Sequence, residues 1–202
     1  MGKTEHNIAI LILAAGGSTR MGNTIKQLLP WKNTTLLGHA ISEAKASNAL
    51  EVMVVLGAHA HKIRKEINEE EVLTAIHVDW ESGLGSSLAF GMRQLWSRNT
   101  PLEGVLVMLV DQPLINSDYI NRMIALFHTS EKKIIATNYD KRGGVPAIFG
   151  KTYFNELLGL NADFGAKDIL TRRKEDILLV YPKGKAIDVD TMEDYDKLYK
   201  GH

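Results

Sequence analysis

Continuous apolar runs rich in β-branched residues recur along the chain at Ile8–Leu13, Val52–Leu56, Val105–Val110 and Ile134–Thr137. Such runs, without polar alternation, describe strands shielded on both faces, as a parallel sheet between helical layers requires. Between them, apolar positions recur at helical spacing over Leu36–Ala46, His59–Ile67, Leu84–Trp96 and Tyr119–Phe127. The resulting order, βαβαβαβ, predicts an α/β fold with a doubly wound, mostly parallel sheet and helices on both faces. Past Asp140 the pattern loosens into GGVPAIF, a helical stretch over 152–158, DFGAKDILTRR, a strand ILLVY and the acidic segment DVDTMEDYDKLY. No Pro/Ser-rich linker and no internal repeat interrupts it, so a single domain over 1–202 is expected.

Composition narrows the partners. Lys plus Arg and Asp plus Glu number 24 each, so no global field draws the chain to nucleic acid or to an anionic membrane, and any charge for phosphate must be local. The absence of cysteine removes disulfides, thiolate nucleophiles and Cys-ligated metals, and fits a reducing cytoplasm. IAILIL is too short for a membrane span and leads into glycines rather than a cleavage site, and His6 stands where a myristoylation signal needs Ser or Thr. A soluble cytoplasmic protein is expected, its oligomeric state open. The seven histidines suggest no metal set: His59 and His61 are two apart, and His39, His77 and His128 are scattered. Lys62, Arg64 and Lys65 read as a solvated helix face.

Doubly wound sheets bind ligands beyond the carboxyl ends of their strands, which directs attention to AAGGSTRMG after the first run, DQP after the third and the later NYDKRGGVP. The first loop sets Gly16, Gly17 and Gly22 around Ser18, Thr19 and Arg20, with Lys26 four residues beyond. Glycines let the backbone close on a polyphosphate and turn N–H donors toward it, while Arg20 and Lys26 add full charges. A glycine cluster alone is equally a flexible surface turn. A Walker loop is excluded because no Gly-Lys-Ser/Thr triplet exists, and the dinucleotide fingerprint spacing is absent. Asp111, directly after an apolar strand, displays a hard oxygen ligand at the sheet edge, although Asp-x-Pro also serves as a turn. Asp188 and Asp190 flank Val189 and share a face on an extended segment; Thr191 with Glu193 and Asp194 also reads as a helix start. Gly83, Ser86 and Ser87 open a helix, where small residues leave room for a nucleobase or form an ordinary first turn.

LAAGGSTRMG followed by Lys26 resembles the signature of the molybdenum cofactor cytidylyltransferases, within the MobA-like NTP transferase superfamily that also holds guanylyl- and sugar-phosphate nucleotidyltransferases. Later segments extend the resemblance in order. WESGLGSS at Trp80–Ser87 is similar to the family's W-x-x-G-x-x-x-S, DQP at Asp111–Pro113 to its metal loop, and GGVPAIF at Gly143–Phe149 to its acceptor-side strand. ADFGAK at Ala162–Lys167 resembles G-D-x-G-A-R, and DVDTMEDY at Asp188–Tyr195 resembles D-I-D-T-P-E-D, with departures at Ala162, Lys167 and Met192.

The resemblance implies a Rossmann-like, GT-A type nucleotidyltransferase domain, with nucleotide bound by about 1–115 and acceptor by about 116–202. It assigns nucleotide contacts to Leu13, Ala14, Ala15, Gly16, Gly17, Ser18, Arg20, Lys26, Gly83 and Ser87. Arg20, Lys26 and Asp111 would be catalytic, Mg²⁺ would sit on Asp111 and Asp190, and the acceptor would meet Gly144, Pro146, Asp163, Gly165 and Lys167. Ala14-Ala15-Gly16, where guanosine-using relatives have Ala-Gly-Gly, implies CTP, and the acceptor implied is a phosphorylated small molecule of the molybdopterin type. A molybdenum hydroxylase that oxidises purines is the implied client. Two other readings stay open: transfer of CMP or GMP to a sugar or polyol phosphate, and a carrier of molybdenum cofactor that performs no chemistry.

Overall fold

The computed structural model describes residues 7–22, 24–67, 72–161 and 165–200. In chain order its strands are β1 (Ile8–Ala14), β2 (Pro30–Trp31), β3 (Thr34–Thr35), β4 (Glu51–Leu56), β5 (Leu73–Ile76), β6 (Gly104–Leu109), β7 (Ile134–Tyr139), β8 (Arg142–Gly150) and β9 (Ile177–Val180). The helices are α1 (Leu36–Ala46), α2 (Ala60–Ile63), α3 (Leu84–Ser97), α4 (Ser117–Thr129), α5 (Phe154–Leu158), α6 (Ala166–Arg172) and α7 (Met192–Lys200). A seven-stranded sheet runs in the order β5-β4-β1-β6-β8-β7-β9, parallel except at β8.

The unbroken apolar run of β1 has its cause in this order. As an inner strand it points Ile8, Ile10, Ile12 and Ala14 into one core layer, which includes Leu36, Leu37, Ala40, Ile120 and Ile124 from α1 and α4. Ala9, Leu11 and Leu13 point into the other, with Leu88, Met92, Phe154, Leu157, Ile169 and Leu170 from α3, α5 and α6. Both layers are built of buried apolar side chains, each fully buried Ile or Leu contributing about 1.5–3 kcal/mol. The expected doubly wound sheet with helices on both faces is the fold of the chain.

The departures have local reasons. The stretch expected as one helix over His59–Ile67 is α2 followed by a 3-10 turn at Arg64–Glu66. His59 has left-handed backbone (φ 57°), so no helix starts there, and only Ile63 is buried along these two pieces. β8 enters antiparallel between β6 and β7, an orientation an apolar run does not encode. Opposite β7 the register shifts between Ala136, which faces Ala147, and Thr137, which faces Gly144. The two residues left over are Val145 and Pro146; proline has no N–H to give the ladder, so a bulge falls there without loss. The hairpin joining β7 to β8 turns on Asp140 and Lys141, both at positive φ (48° and 69°).

Candidate active site

The loop after β1 is held open from behind. Gln27, buried at 4% exposure, donates from Nε2 to the carbonyl oxygens of Ala14 and Gly16, each at 2.9 Å. Its Oε1 accepts from the Ser18 hydroxyl (3.3 Å), and Ser18 Oγ accepts in turn from the Lys26 amide (3.2 Å). One side chain therefore binds both ends of the glycine loop and commits carbonyls that would otherwise face an incoming anion. Beneath the loop, Trp80 lies so close to Gly57 that a Cβ there would meet Trp80 Cβ at 2.5 Å and the Ala15 carbonyl oxygen at 2.7 Å. Gly16 is the opposite case: a Cβ there would meet nothing within 4 Å, because the position faces the cleft.

The charged groups come from three segments. Lys26 Nζ lies 2.9 Å from Asp111 Oδ2 and 3.6 Å from Asp190 Oδ1, and Arg20 Nη1 lies 3.3 Å from Asp190 Oδ2. Asp111 follows β6 at the carboxyl edge of the sheet, and its carbonyl oxygen accepts from the Val189 amide at 2.8 Å. This backbone bond brings the 188–190 segment beside the loop after β6. Thr191 and Asp194 then cap α7 reciprocally, Thr191 N donating to Asp194 Oδ2 (2.9 Å) and Asp194 N to Thr191 Oγ1 (3.2 Å). Capping by Thr191 and the approach of Asp190 to the cleft coexist.

Among the described residues, Asp111 Oδ1 is buried without a hydrogen-bond partner. An orphaned carboxylate oxygen next to one that pairs with a cation fits a carboxylate shaped to hold a further cation. Among the described residues no group of three or more His, Asp or Glu is placed to hold a metal ion. Asp111 and Asp190 are two carboxylates that both approach the Lys26 ammonium on one side of the cleft.

A cleft of about 370 Å³ is lined by Leu13, Ala14, Gly16, Gly17, Ser18, Arg20, Lys26, Asp111 and Asp190, among others. Leu84 and Leu109 form part of its wall and also of a second cavity, of about 460 Å³, lined by Gly144, Gly165 and Lys167. Most of the expected site residues thus lie on two adjoining hollows. Ala15 does not line the cleft; its methyl joins the core layer of Leu88 and Met53. Ser87 is buried, with Oγ 3.3 Å from His77 Nδ1, and neither it nor Gly83 lines the cleft; Leu84, next to Gly83, does. Pro146 is buried beneath the second cavity, its carbonyl oxygen accepting from Thr137 Oγ1 at 2.7 Å. Asp163 lies outside the described residues.

The second cavity has a polar end that motif reasoning did not pick out. Gln112 Nε2 lies 2.8 Å from Asp188 Oδ1, 2.6 Å from the Tyr139 hydroxyl and 3.1 Å from the Val145 carbonyl oxygen freed by the bulge. Desolvation lifts the Asp188 carboxyl above its ordinary value, opposed by the Gln112 amide and reinforced by the charges of Asp111 and Asp190. The adjacency of Gln112 to Asp111 and the period-two spacing of Asp188 and Asp190 were the available signals. Nothing in the local pattern marked Gln27.

Comparison with known proteins places the chain in a family. Nicotine blue oxidoreductase of Paenarthrobacter nicotinovorans is 34% identical over 114 residues, which are 56% of this chain, and the match spans about half (54%) of that protein. Purine catabolism protein PucB of Bacillus subtilis is 29% identical over 203 residues, covering 92% of this chain and 93% of its own length. The crystal structure of Rv0371c from Mycobacterium tuberculosis superposes with a TM-score of 0.80 at 30% identity, covering 98% of this chain and 99% of that one. That protein has also been crystallised in complex with manganese, in a structure 28% identical, with a TM-score of 0.76 and coverage of 96% and 99%. The profile of the MobA-like NTP transferase domain matches residues 10–177, and the chain belongs to that family.

Proposed function

We propose that this protein transfers CMP from CTP to the phosphate of a molybdopterin-type cofactor, releasing pyrophosphate. The observation that carries the reading is the gathering of Arg20, Lys26, Asp111 and Asp190 on a glycine-loop cleft that shares a wall with a second cavity. In the transfer, an acceptor phosphate oxygen attacks the α-phosphorus, the bond to the bridging oxygen breaks, and pyrophosphate leaves in line. The acceptor phosphate is already ionised at neutral pH, so no general base is needed.

The residues balance charge. Two cations face two carboxylates. Asp111 and Asp190 would hold a divalent cation, which supplies neutralisation of the phosphate oxygens; the manganese complex of the mycobacterial relative supports such use, and Mg²⁺ is our assignment. Arg20 and Lys26, relieved of the carboxylates, then face the departing pyrophosphate together with loop amides. The order Ala14-Ala15-Gly16 supports cytidine through family resemblance, and since Ala15 packs in the core its influence on the base is exerted from beneath the loop. The relative named for purine catabolism supports a molybdenum hydroxylase as client.

The test is pyrophosphate release across the four nucleoside triphosphates with molybdopterin, and with glycerol 3-phosphate as a polyol phosphate. Release specific to CTP and molybdopterin is expected, and Asp111→Asn is expected to abolish it while the melting temperature stays near wild type. Release with the polyol phosphate alone would favour the sugar or polyol reading. Binding of molybdopterin with no release from any nucleotide would leave a carrier.

A further inference from the structure

The second cavity does not end at its polar floor. Arg142, Gly143, Lys167 and Leu170 line it and also line a third hollow of about 270 Å³ on the far side. Among the described residues, the charged ones that line that third hollow are Lys141, Arg142, Lys167 and Lys174, and no acid is with them. In a chain with 24 basic and 24 acidic residues this is a local concentration of one sign. Asp140, Asp168 and Glu175, the acids nearest in sequence, are not on its surface. Among the described residues, none of the four cationic side chains has a hydrogen-bond or ion-pair partner. Elsewhere several arginines do find acids, as Arg98 finds Glu51 at 3.0 Å and Arg173 finds Glu156 at 2.7 Å.

The hairpin that carries two of these cations is built against local preference. Tyr139 pairs with Arg142 across a two-residue turn, and both turn residues have positive φ, the arrangement in which Asn-Gly is the usual choice. Lys141 occupies the position where glycine is at home, at φ 69°. A non-glycine residue held there is strained.

Along β8 the cations stand a short step from the polar end of the second cavity. Val145 presents its carbonyl oxygen to Gln112, the neighbour of Asp111, at 3.1 Å. From Val145 to Arg142 is three residues of β8, at most about 10 Å of extended chain.

We infer that the acceptor carries a second anionic group, received by Arg142 and Lys167 with Lys141 and Lys174 around them, beyond the polar end of the second cavity. The inference rests on the transfer proposed above for the position of that phosphate. It selects among acceptors: a molybdopterin has an anionic dithiolene end besides its phosphate, and a simple polyol monophosphate has no second anion.

Two probes that share a six-carbon chain isolate the second charge: hexane-1,6-diyl bisphosphate and hexyl phosphate, titrated calorimetrically into the protein. The bisphosphate is expected to bind at least tenfold more tightly. That advantage is expected to vanish in Arg142→Gln/Lys167→Gln, with CTP titrated in parallel to report on the neighbouring cleft. Lys141→Gly is a second variant that relaxes the turn while removing a charge. Its melting temperature should hold or rise while bisphosphate affinity falls, an outcome that misfolding does not produce. Equal affinity for the two probes, or an advantage that survives both variants, overturns the inference and leaves the transfer reaction standing. Failure of the wild type to release pyrophosphate with any acceptor overturns the transfer reaction instead, and leaves a measured preference for the bisphosphate in place.

Discussion

Replacing Lys26 by methionine should make the protein bind a divalent metal better and its nucleotide worse. The ammonium lies 2.9 Å from Asp111 and 3.6 Å from Asp190, where it occupies the mouth of the two-carboxylate site. The Lys26 and Asp111 side chains are only 16% and 19% exposed, so the dielectric of water gives a floor to the attraction. At these distances Coulomb's law in water gives about 1.4 and about 1.2 kcal/mol. Allowing for salt screening, roughly 1–2.5 kcal/mol of competition disappears with the ammonium, a gain of about 5- to 70-fold in affinity for metal alone. The assay is calorimetric titration of Mn²⁺ into wild type and Lys26→Met, without nucleotide and then with saturating CTP. Without nucleotide the variant should bind Mn²⁺ more tightly. Turnover should fall by about 10²–10³, the usual cost of removing one group that meets charge developing in the transition state. Mn²⁺ affinity unchanged or lowered in the variant would refute the reasoning, because ammonium and metal would then not compete for Asp111.

Gly57→Ala should lower the melting temperature by roughly 2–12 °C, since overpacking costs about 1–3 kcal/mol and a chain of this size loses about 2–4 °C per kcal/mol. The added methyl has only Trp80 and the Ala15 carbonyl to move, so a melting temperature within a degree of wild type would contradict the packing described. Gln27→Ala removes two hydrogen bonds to loop carbonyls, about 2 kcal/mol in all, and should raise KM for CTP; an unchanged KM would show that the loop keeps its shape unaided. His39 and His77 are both held below the ordinary histidine range, chiefly by burial, so the unfolded chain binds protons that the folded chain refuses. Stability should therefore be constant above about pH 6.5 and fall as the pH drops below it, each histidine contributing at most about 1.4 kcal/mol per pH unit. Chemical denaturation at a series of pH values reads this directly, and His39→Asn should flatten part of the slope.

How much of this was legible in the sequence depended on whether the signal was local. β1, β4 and β6 are inner strands buried on both faces, and burial on both faces is what an unbroken apolar run encodes. The antiparallel course of β8 was not visible, because the run GGVPAIF reads the same whichever way the strand lies, and β5 is a four-residue edge strand with partly exposed side chains. Within motifs, the pattern located the neighbourhood but not the facing residue: Leu84 lines the cleft and Ser87 turns to His77, a partner ten positions away whose approach depends on the packing of β5 against β4. Gln27, Gln112 and Arg142 gain their significance only from what the fold brings near them.

The backbone bond from Val189 to Asp111 has a consequence for how the protein comes into being. Arg20 and Asp190 stand 170 positions apart, and contacts of such separation close late, after the entropy of the intervening loop has been overcome. A nascent chain can therefore assemble the sheet around β1, β4 and β6 while still lacking its second carboxylate. A metal that needs Asp190 would then bind only once that last contact has closed, so its uptake would report the final stage of folding.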